Sequence, residues 1–130
     1  MERFVKGDVV IVPFPFSDLS QAKRRPALVV QHFNGEDLLL AQITSQNIRD
    51  DYAIVLMDND FKEGSLKKLS NIRPNKLFTR STNLILYKAG VLKKDKILEI
   101  IKVIIANGYA SFNKTGSMHS REVEIHGIKN

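Results

Sequence analysis

The sequence contains no cysteine and only three histidines, His32, His119 and His126. Without cysteine, disulfide bonds, thiol catalysis and cysteine-ligated zinc are excluded, and a reducing compartment such as the cytoplasm is favoured. Two histidines lie near the C-terminus and His32 falls on a predicted strand, so a ribonuclease mechanism with paired histidines is disfavoured. The chain also lacks a Gly-rich phosphate loop and a Gly-x-Ser-x-Gly elbow. From these absences we expect that the protein has no metal site and no bound cofactor.

The sequence also lacks an apolar run long enough to cross a bilayer. Its longest strongly apolar stretch, residues 97–106, is interrupted by Glu99 and Lys102. The N-terminal Met-Glu-Arg-Phe does not show the basic-then-apolar order of a signal peptide. We therefore expect a cytoplasmic protein without a membrane partner.

Negative charge is scarce relative to positive charge. The chain has 20 Lys and Arg against 14 Asp and Glu, which gives a formal net charge of +6. Such a field attracts polyanions, which include nucleic acids, acidic proteins and anionic membranes. An ordinary basic soluble protein is the alternative, because charge alone does not identify a partner.

Short runs of β-branched and aromatic residues, separated by turn signals, predict strands in the first half of the chain. They span residues 8–16, 26–33, 38–44 and 52–57, with shorter candidates at 66–69, 71–73 and 84–87. Asn34-Gly35 predicts a tight hairpin, and Pro74 predicts a break in any strand before it.

The periodicity changes to that of a helix between Lys94 and Asn107. Its apolar positions are Ile97, Leu98, Ile101, Ile104 and Ile105. Strands followed by one helix predict that residues 1–110 form a mainly β domain. We expect a small barrel with a C-terminal helix that packs across it. Residues 111–130 are expected to form a separate tail. Its Gly116-Ser117-Met118 resembles a cloning junction, and its alternating residues 122–125 alternatively suit a natural added strand.

Lys23-Arg24-Arg25-Pro26 is the basic segment with the clearest geometry. Proline holds the preceding Arg25 in an extended conformation at the start of a predicted strand. The planar guanidinium suits a phosphate or the phosphorane formed during RNA cleavage. A solvated basic loop is the alternative, and the pattern alone favours it.

Four short motifs occur in a characteristic order along residues 6–108. They are Gly7-Asp-Val-Val10, Arg25-Pro-Ala-Leu-Val-Val30, Ile43-Thr-Ser-Gln46 and Leu69-Ser-Asn-Ile-Arg73. In this order and spacing, and with the helix after them, they resemble the MazF/PemK family of toxins from type II toxin–antitoxin systems.

The resemblance implies an SH3-like small barrel of the CcdB/PemK type that forms a homodimer. It also implies a metal-independent, sequence-specific endoribonuclease that cleaves single-stranded RNA by 2′-hydroxyl attack, and an antitoxin partner. Arg25 matches the family's catalytic arginine and Thr44 its catalytic threonine. The predicted hairpin agrees, because Arg25 precedes Asn34 and Thr44 follows Gly35 by the same number of residues.

Further residues around these motifs are expected to bind RNA. Phe16, next to the basic loop, is a candidate for stacking on a base, although a core position is the alternative. The other expected RNA contacts are Lys23, Arg24, Ser45, Gln46 and Arg73.

Two other functions remain compatible with the same fold. A gyrase-inhibiting toxin of the CcdB kind has a related barrel, and a non-catalytic nucleic-acid-binding barrel would share the basic charge. Arg25 and Thr44 at the family's catalytic positions favour the nuclease.

Overall fold

Seven strands and one α-helix make up the part of the chain described by the computed structural model, which is residues 3–14, 23–46 and 51–107. The strands are β1 (Asp8–Phe14), β2 (Lys23–His32), β3 (Asp37–Thr44), β4 (Ile54–Leu56), β5 (Phe61–Gly64), β6 (Ser70–Ser81) and β7 (Tyr87–Leu92), and the helix α1 is Lys94–Ala106. All strands join one antiparallel sheet in the order β4-β6-β3-β2-β1-β7-β5, which curls into a half-barrel. The predicted mainly β small-barrel fold with a C-terminal helix is confirmed.

The hairpin between β2 and β3 forms where the sequence predicts it. Gly35 has a φ of 85°, a left-handed conformation that glycine adopts without steric cost. The amide of Phe33 donates to the carbonyl of Asp37 at 2.9 Å and closes the turn. Because of this turn, the beginning of β2 lies beside the end of β3.

The sheet is apolar on both faces because it carries two cores. On one face, Ile100 and Ile104 of α1 pack against a cluster that includes Leu28. On the other face, Ala27 belongs to a second buried cluster with Phe4. Since successive side chains point to opposite faces, the uninterrupted apolar run in β2 serves both cores.

Gly7 and Asp8, the first motif of the family resemblance, have structural roles. Gly7 has a φ of 99°, and a Cβ at this position would collide with the side chain of Ile97. Asp8 is buried, and its carboxylate accepts a hydrogen bond from the amide of Val5 at 2.9 Å and lies 4.0 Å from Lys88. The Gly7-Asp8 pair therefore determines the backbone conformation at the start of β1.

The predicted break at Pro74 is wrong, because β6 continues through this residue. Gln42 of β3 pairs with Arg73, but the preceding Ala41 pairs with Leu77. The residues between Arg73 and Leu77 therefore form an irregularity in the ladder. Proline is tolerated at such a position because no ladder hydrogen bond from its nitrogen is needed.

Three other predictions need correction. Residues 66–69 form a loop and not a strand, and the candidate strand 84–87 is replaced by a 3-10 turn at Thr82–Leu84 followed by β7. In α1 the side chain that faces the sheet most completely is Ile100, whereas Leu98 is 52% exposed. The helix meets the sheet along a stripe centred on Ile100 and Ile104, one turn apart. Residues 108–130, which include the predicted tail, lie outside the described residues.

Candidate active site

The β2–β3 register brings Arg25 and Thr44 to the same end of the sheet. Ala27 lies opposite Gln42. Arg25 is two residues before Ala27, and Thr44 is two residues after Gln42. In an antiparallel pair both steps lead to the same end and the same face, so the two family-matched residues are neighbours across adjacent strands.

Both residues line one cleft of about 260 Å³. Four adjacent strands and the loop before β6 supply its lining: Ile11, Arg24, Arg25, Pro26, Ile43, Thr44, Ser45, Leu66, Lys68 and Ser70. Three of these side chains are cationic and three carry hydroxyl groups, while the described lining contains no carboxylate. The cleft is therefore chemically suited to an anion such as a phosphodiester.

Arg25 is the third residue of β2 and is only partly exposed. It pairs with Val12 of β1, while Arg24 pairs with Pro13 and is exposed. The ladder and the following Pro26 hold the Arg25 backbone extended. The Arg25 side chain therefore extends from a backbone that is held in a strand. This restricts its position more than a loop backbone would.

Thr44 is the last residue of β3, and with an exposed fraction of 6% it is, among the described residues, one of three buried polar ones. Its Oγ1 accepts a hydrogen bond from the amide of Gln46 at 3.1 Å. Asn71, opposite Thr44 on β6, donates to the carbonyl of Gln46 at 3.3 Å. A threonine hydroxyl has one proton to donate, and the Gln46 contact does not use it. This geometry orients the hydroxyl and leaves its proton available to a ligand.

The sequence reasoning missed the wall formed by Leu66, Lys68 and Ser70. The prediction of a strand over residues 66–69 does not place them near Arg25. The available signal for a structured basic loop was the pair Lys67-Lys68 shortly after the turn residues Gly64-Ser65. Their position at the cleft depends on the long-range pairing of β6 with β3, which no local pattern contains.

The other predicted RNA contacts are divided by the structure. Arg24 and Ser45 line the cleft with Arg25 and Thr44. Lys23, Gln46 and Arg73 are not among its described lining residues: Lys23 lies opposite Phe14, and Arg73 lies opposite Gln42 in the sheet. Phe16 lies outside the described residues. Within residues 3–14, 23–46 and 51–107, no cluster of three or more histidine, aspartate or glutamate side chains has the arrangement of a metal site.

Comparison with known proteins identifies the family. Residues 5–107 match the model of the family described as PemK-like, MazF-like toxin of type II toxin-antitoxin system. The chain belongs to this family. The match covers most of the chain, and it confirms the family that the sequence motifs indicate. No curated protein matches the chain in sequence.

Solved structures with the family's fold are similar to the chain. A MazE–MazF complex from Deinococcus radiodurans has a TM-score of 0.64 at 16% identity, and the alignment covers 79% of this chain and 94% of that one. An endoribonuclease in complex with its cognate antitoxin, from a mycobacterial species, gives 0.62 at 12% identity, with coverages of 80% and 93%. The Mycobacterium tuberculosis toxin MazF-mt6 gives 0.55 at 16% identity, with coverages of 73% and 91%. At these identities the comparison establishes a shared fold.

The described part of this PemK/MazF-type chain contains no helix that is both long and apolar enough to cross a membrane.

Proposed function

We propose that this toxin-family protein is an endoribonuclease that cleaves single-stranded RNA in the cleft between β2, β3 and β6. The observation that carries the proposal is the meeting of Arg25 and Thr44 in one cleft without a described carboxylate. In an RNA substrate, the anion that such a cleft would bind is a phosphodiester. The endoribonucleases among the structural neighbours share the fold, which supports the same class of activity.

The proposed chemistry is an internal transesterification. The 2′-oxygen of one ribose attacks the adjacent phosphorus and loses its proton, while the bond from phosphorus to the 5′-oxygen breaks and that oxygen gains a proton. The products are a 2′,3′-cyclic phosphate and a 5′-hydroxyl. The reaction consumes no water in this step, so it needs no activated water molecule.

Arg25 and Thr44 have separate roles in this chemistry. Negative charge builds on the non-bridging oxygens of the phosphorane, and the Arg25 guanidinium supplies two parallel N–H donors to them. Thr44 donates its hydroxyl proton to a non-bridging oxygen, with its orientation set by the Gln46 amide. These roles require no metal ion.

The net charge also supports two partners. The net charge of +6 suits both RNA and an antitoxin with an acidic, partly apolar segment. We further propose that the toxin acts as a homodimer, as the family resemblance implies.

The test is product analysis with purified protein and single-stranded RNA of varied sequence. We expect fragments that end in a 2′,3′-cyclic phosphate, produced equally in the presence of EDTA. Arg25→Ala should lower kcat by about 10²–10³, the usual loss when one transition-state donor is removed. Arg24→Ala is the matched variant: it removes the neighbouring charge of the same cleft and should act mainly on KM.

Two results would contradict the proposal. A folded Arg25→Ala protein that cleaves at a near-normal rate would remove Arg25 from the chemistry. The absence of any cyclic phosphate product from the unaltered protein would favour a gyrase-directed toxin or a non-catalytic RNA-binding barrel.

A further inference from the structure

We infer that Lys68 is a positioning residue that binds an RNA phosphate from the side of the cleft away from Arg25. This inference rests on the proposed ribonuclease function and adds a residue to the substrate-binding surface. Sheet order places β3 between β2 and β6, so Arg24 and Arg25 lie on one side of Thr44, and Lys68, two residues before β6, lies on the other. A phosphodiester chain that crosses Thr44 therefore passes between cations on both sides.

The loop that carries Lys68 is held by hydrogen bonds at both of its ends. Ser65 Oγ donates to Asp58 Oδ1 at 2.6 Å and accepts from the amide of Lys67 at 2.8 Å. Ser70, which is 3% exposed, donates its hydroxyl to the carbonyl of Lys68 at 3.2 Å. The backbone of Lys68 is thus fixed directly by a buried side chain. A fixed backbone lowers the conformational entropy that the lysine loses when it binds a phosphate.

The backbone of this loop is strained at one residue. Lys67 has a φ of 59°, and it is the only non-glycine residue with a positive φ among those described. An L-residue with a side chain adopts this conformation at a steric cost, and such residues concentrate where function requires a particular geometry. This left-handed residue directly precedes Lys68 in the chain. Lys68 borders both the cleft and a neighbouring pocket that it shares with Met57, Asp58, Lys67 and Leu69, whereas Lys67 is not among the described residues that line the cleft.

The charge of Lys68 is not neutralised within the described structure. The ion pairs there join Lys88 to Asp8 and Lys96 to Asp60 and Glu99, and none involves Lys68. Lys68 is exposed, so its ammonium group is available to an external anion. A solvated surface lysine would share this property. Lys67 provides the comparison, since it has the same charge, the same loop and no place in the cleft.

The test compares Lys68→Gln with Lys67→Gln on a short single-stranded RNA of mixed sequence that is 2′-O-methylated and therefore cannot be cleaved. Affinity is measured over a series of salt concentrations. For Lys68→Gln we expect a Kd about tenfold higher at low salt, and a slope of log affinity against log salt that is shallower by about 0.7, the value for one phosphate contact with a single strand. Lys67→Gln should leave the slope unchanged, and Lys68→Arg should restore it.

Cleavage kinetics separate positioning from catalysis and from folding. On cleavable RNA, Lys68→Gln should raise KM and leave kcat close to that of the unaltered protein, with an unchanged thermal unfolding midpoint. The inference is overturned if the two glutamine variants have the same salt slope, whether both change or neither does. If the unaltered protein forms cyclic phosphate and Lys68→Gln behaves as Lys67→Gln, only this inference fails. If the unaltered protein forms none, the proposed function fails.

Discussion

The cleft at the ends of β2 and β3 differs from the face covered by α1 in the charge and polarity of its side chains. The described lining of the cleft combines three cationic and three hydroxyl-bearing side chains with Ile11, Pro26, Ile43 and Leu66. The helix-covered face ends in a groove of about 350 Å³ that is lined mainly by apolar side chains, with Lys6 as its one charged residue among those described. From this contrast we expect substitutions in the cleft to lower turnover and substitutions beside the helix to lower stability. Substitutions in the two regions should therefore affect different measurements.

The largest effect on stability is expected for Ile100→Ala. The Ile100 side chain is completely buried between α1 and the sheet. Truncation leaves a cavity, which typically costs about 2–5 kcal/mol in the free energy of unfolding. Urea denaturation measures this loss, and kcat of the molecules that remain folded should not change. A comparable fall in kcat at full folding would show that the two regions are coupled.

Leu98→Ala is the matched control on the same helix. Leu98 is 52% exposed, so its truncation should change the free energy of unfolding by less than about 0.5 kcal/mol. If it instead costs as much as Ile100→Ala, and the unfolding midpoint depends on protein concentration, a second copy of the chain covers this side of the helix.

The next largest effect is expected in the cleft, for Thr44→Val. Valine keeps the volume and the β-branch but removes the hydroxyl, so kcat should fall by about 10²–10³. The Gln46 amide also loses its acceptor, which should cost about 1 kcal/mol of stability. Rate measurements on folded protein distinguish the two effects. Thr44→Ser should recover most of the activity, and a fully active Thr44→Val would exclude the hydroxyl from the mechanism.

The part of the fold that could be predicted from the sequence is the part that local signals determine. β1 to β4 follow from dense β-branched residues and from the Asn34-Gly35 turn, because these signals are local. β5 has no β-branched residue, so its sequence carries no local strand signal. β6 is predicted only over residues 71–73, because Pro74 lies in an irregularity of the ladder and the pairing with β3 resumes at Leu77. The buried stripe of α1 was only partly predicted, because the contact with the sheet, and not helical periodicity, selects which apolar residues are covered.

The candidate site was predictable to the same extent. Arg25 and Thr44 are equally spaced from one hairpin, so counting residues was enough to place them together. Lys68 and Ser70 reach the cleft only through the pairing of β6 with β3, a contact between segments far apart in the chain. The roles of Arg25 and Thr44, and RNA binding by Lys23 and Arg73, stay predictions until the substitutions are measured.

The smallest effect concerns regulation, and it asks whether the cleft also receives the antitoxin. Carboxylates and phosphates bind the same guanidinium donors, so an acidic antitoxin segment should occupy the cleft in place of RNA. Binding would then be competitive. With non-cleavable single-stranded RNA present at ten times its own Kd, the apparent Kd of the cognate antitoxin should rise about tenfold. Arg24→Ala should weaken both ligands, because both would contact the same cation. If RNA leaves the antitoxin affinity unchanged, the two bind separate surfaces, and the apolar groove beside α1 becomes the surface to test, with a charged substitution at Ile105.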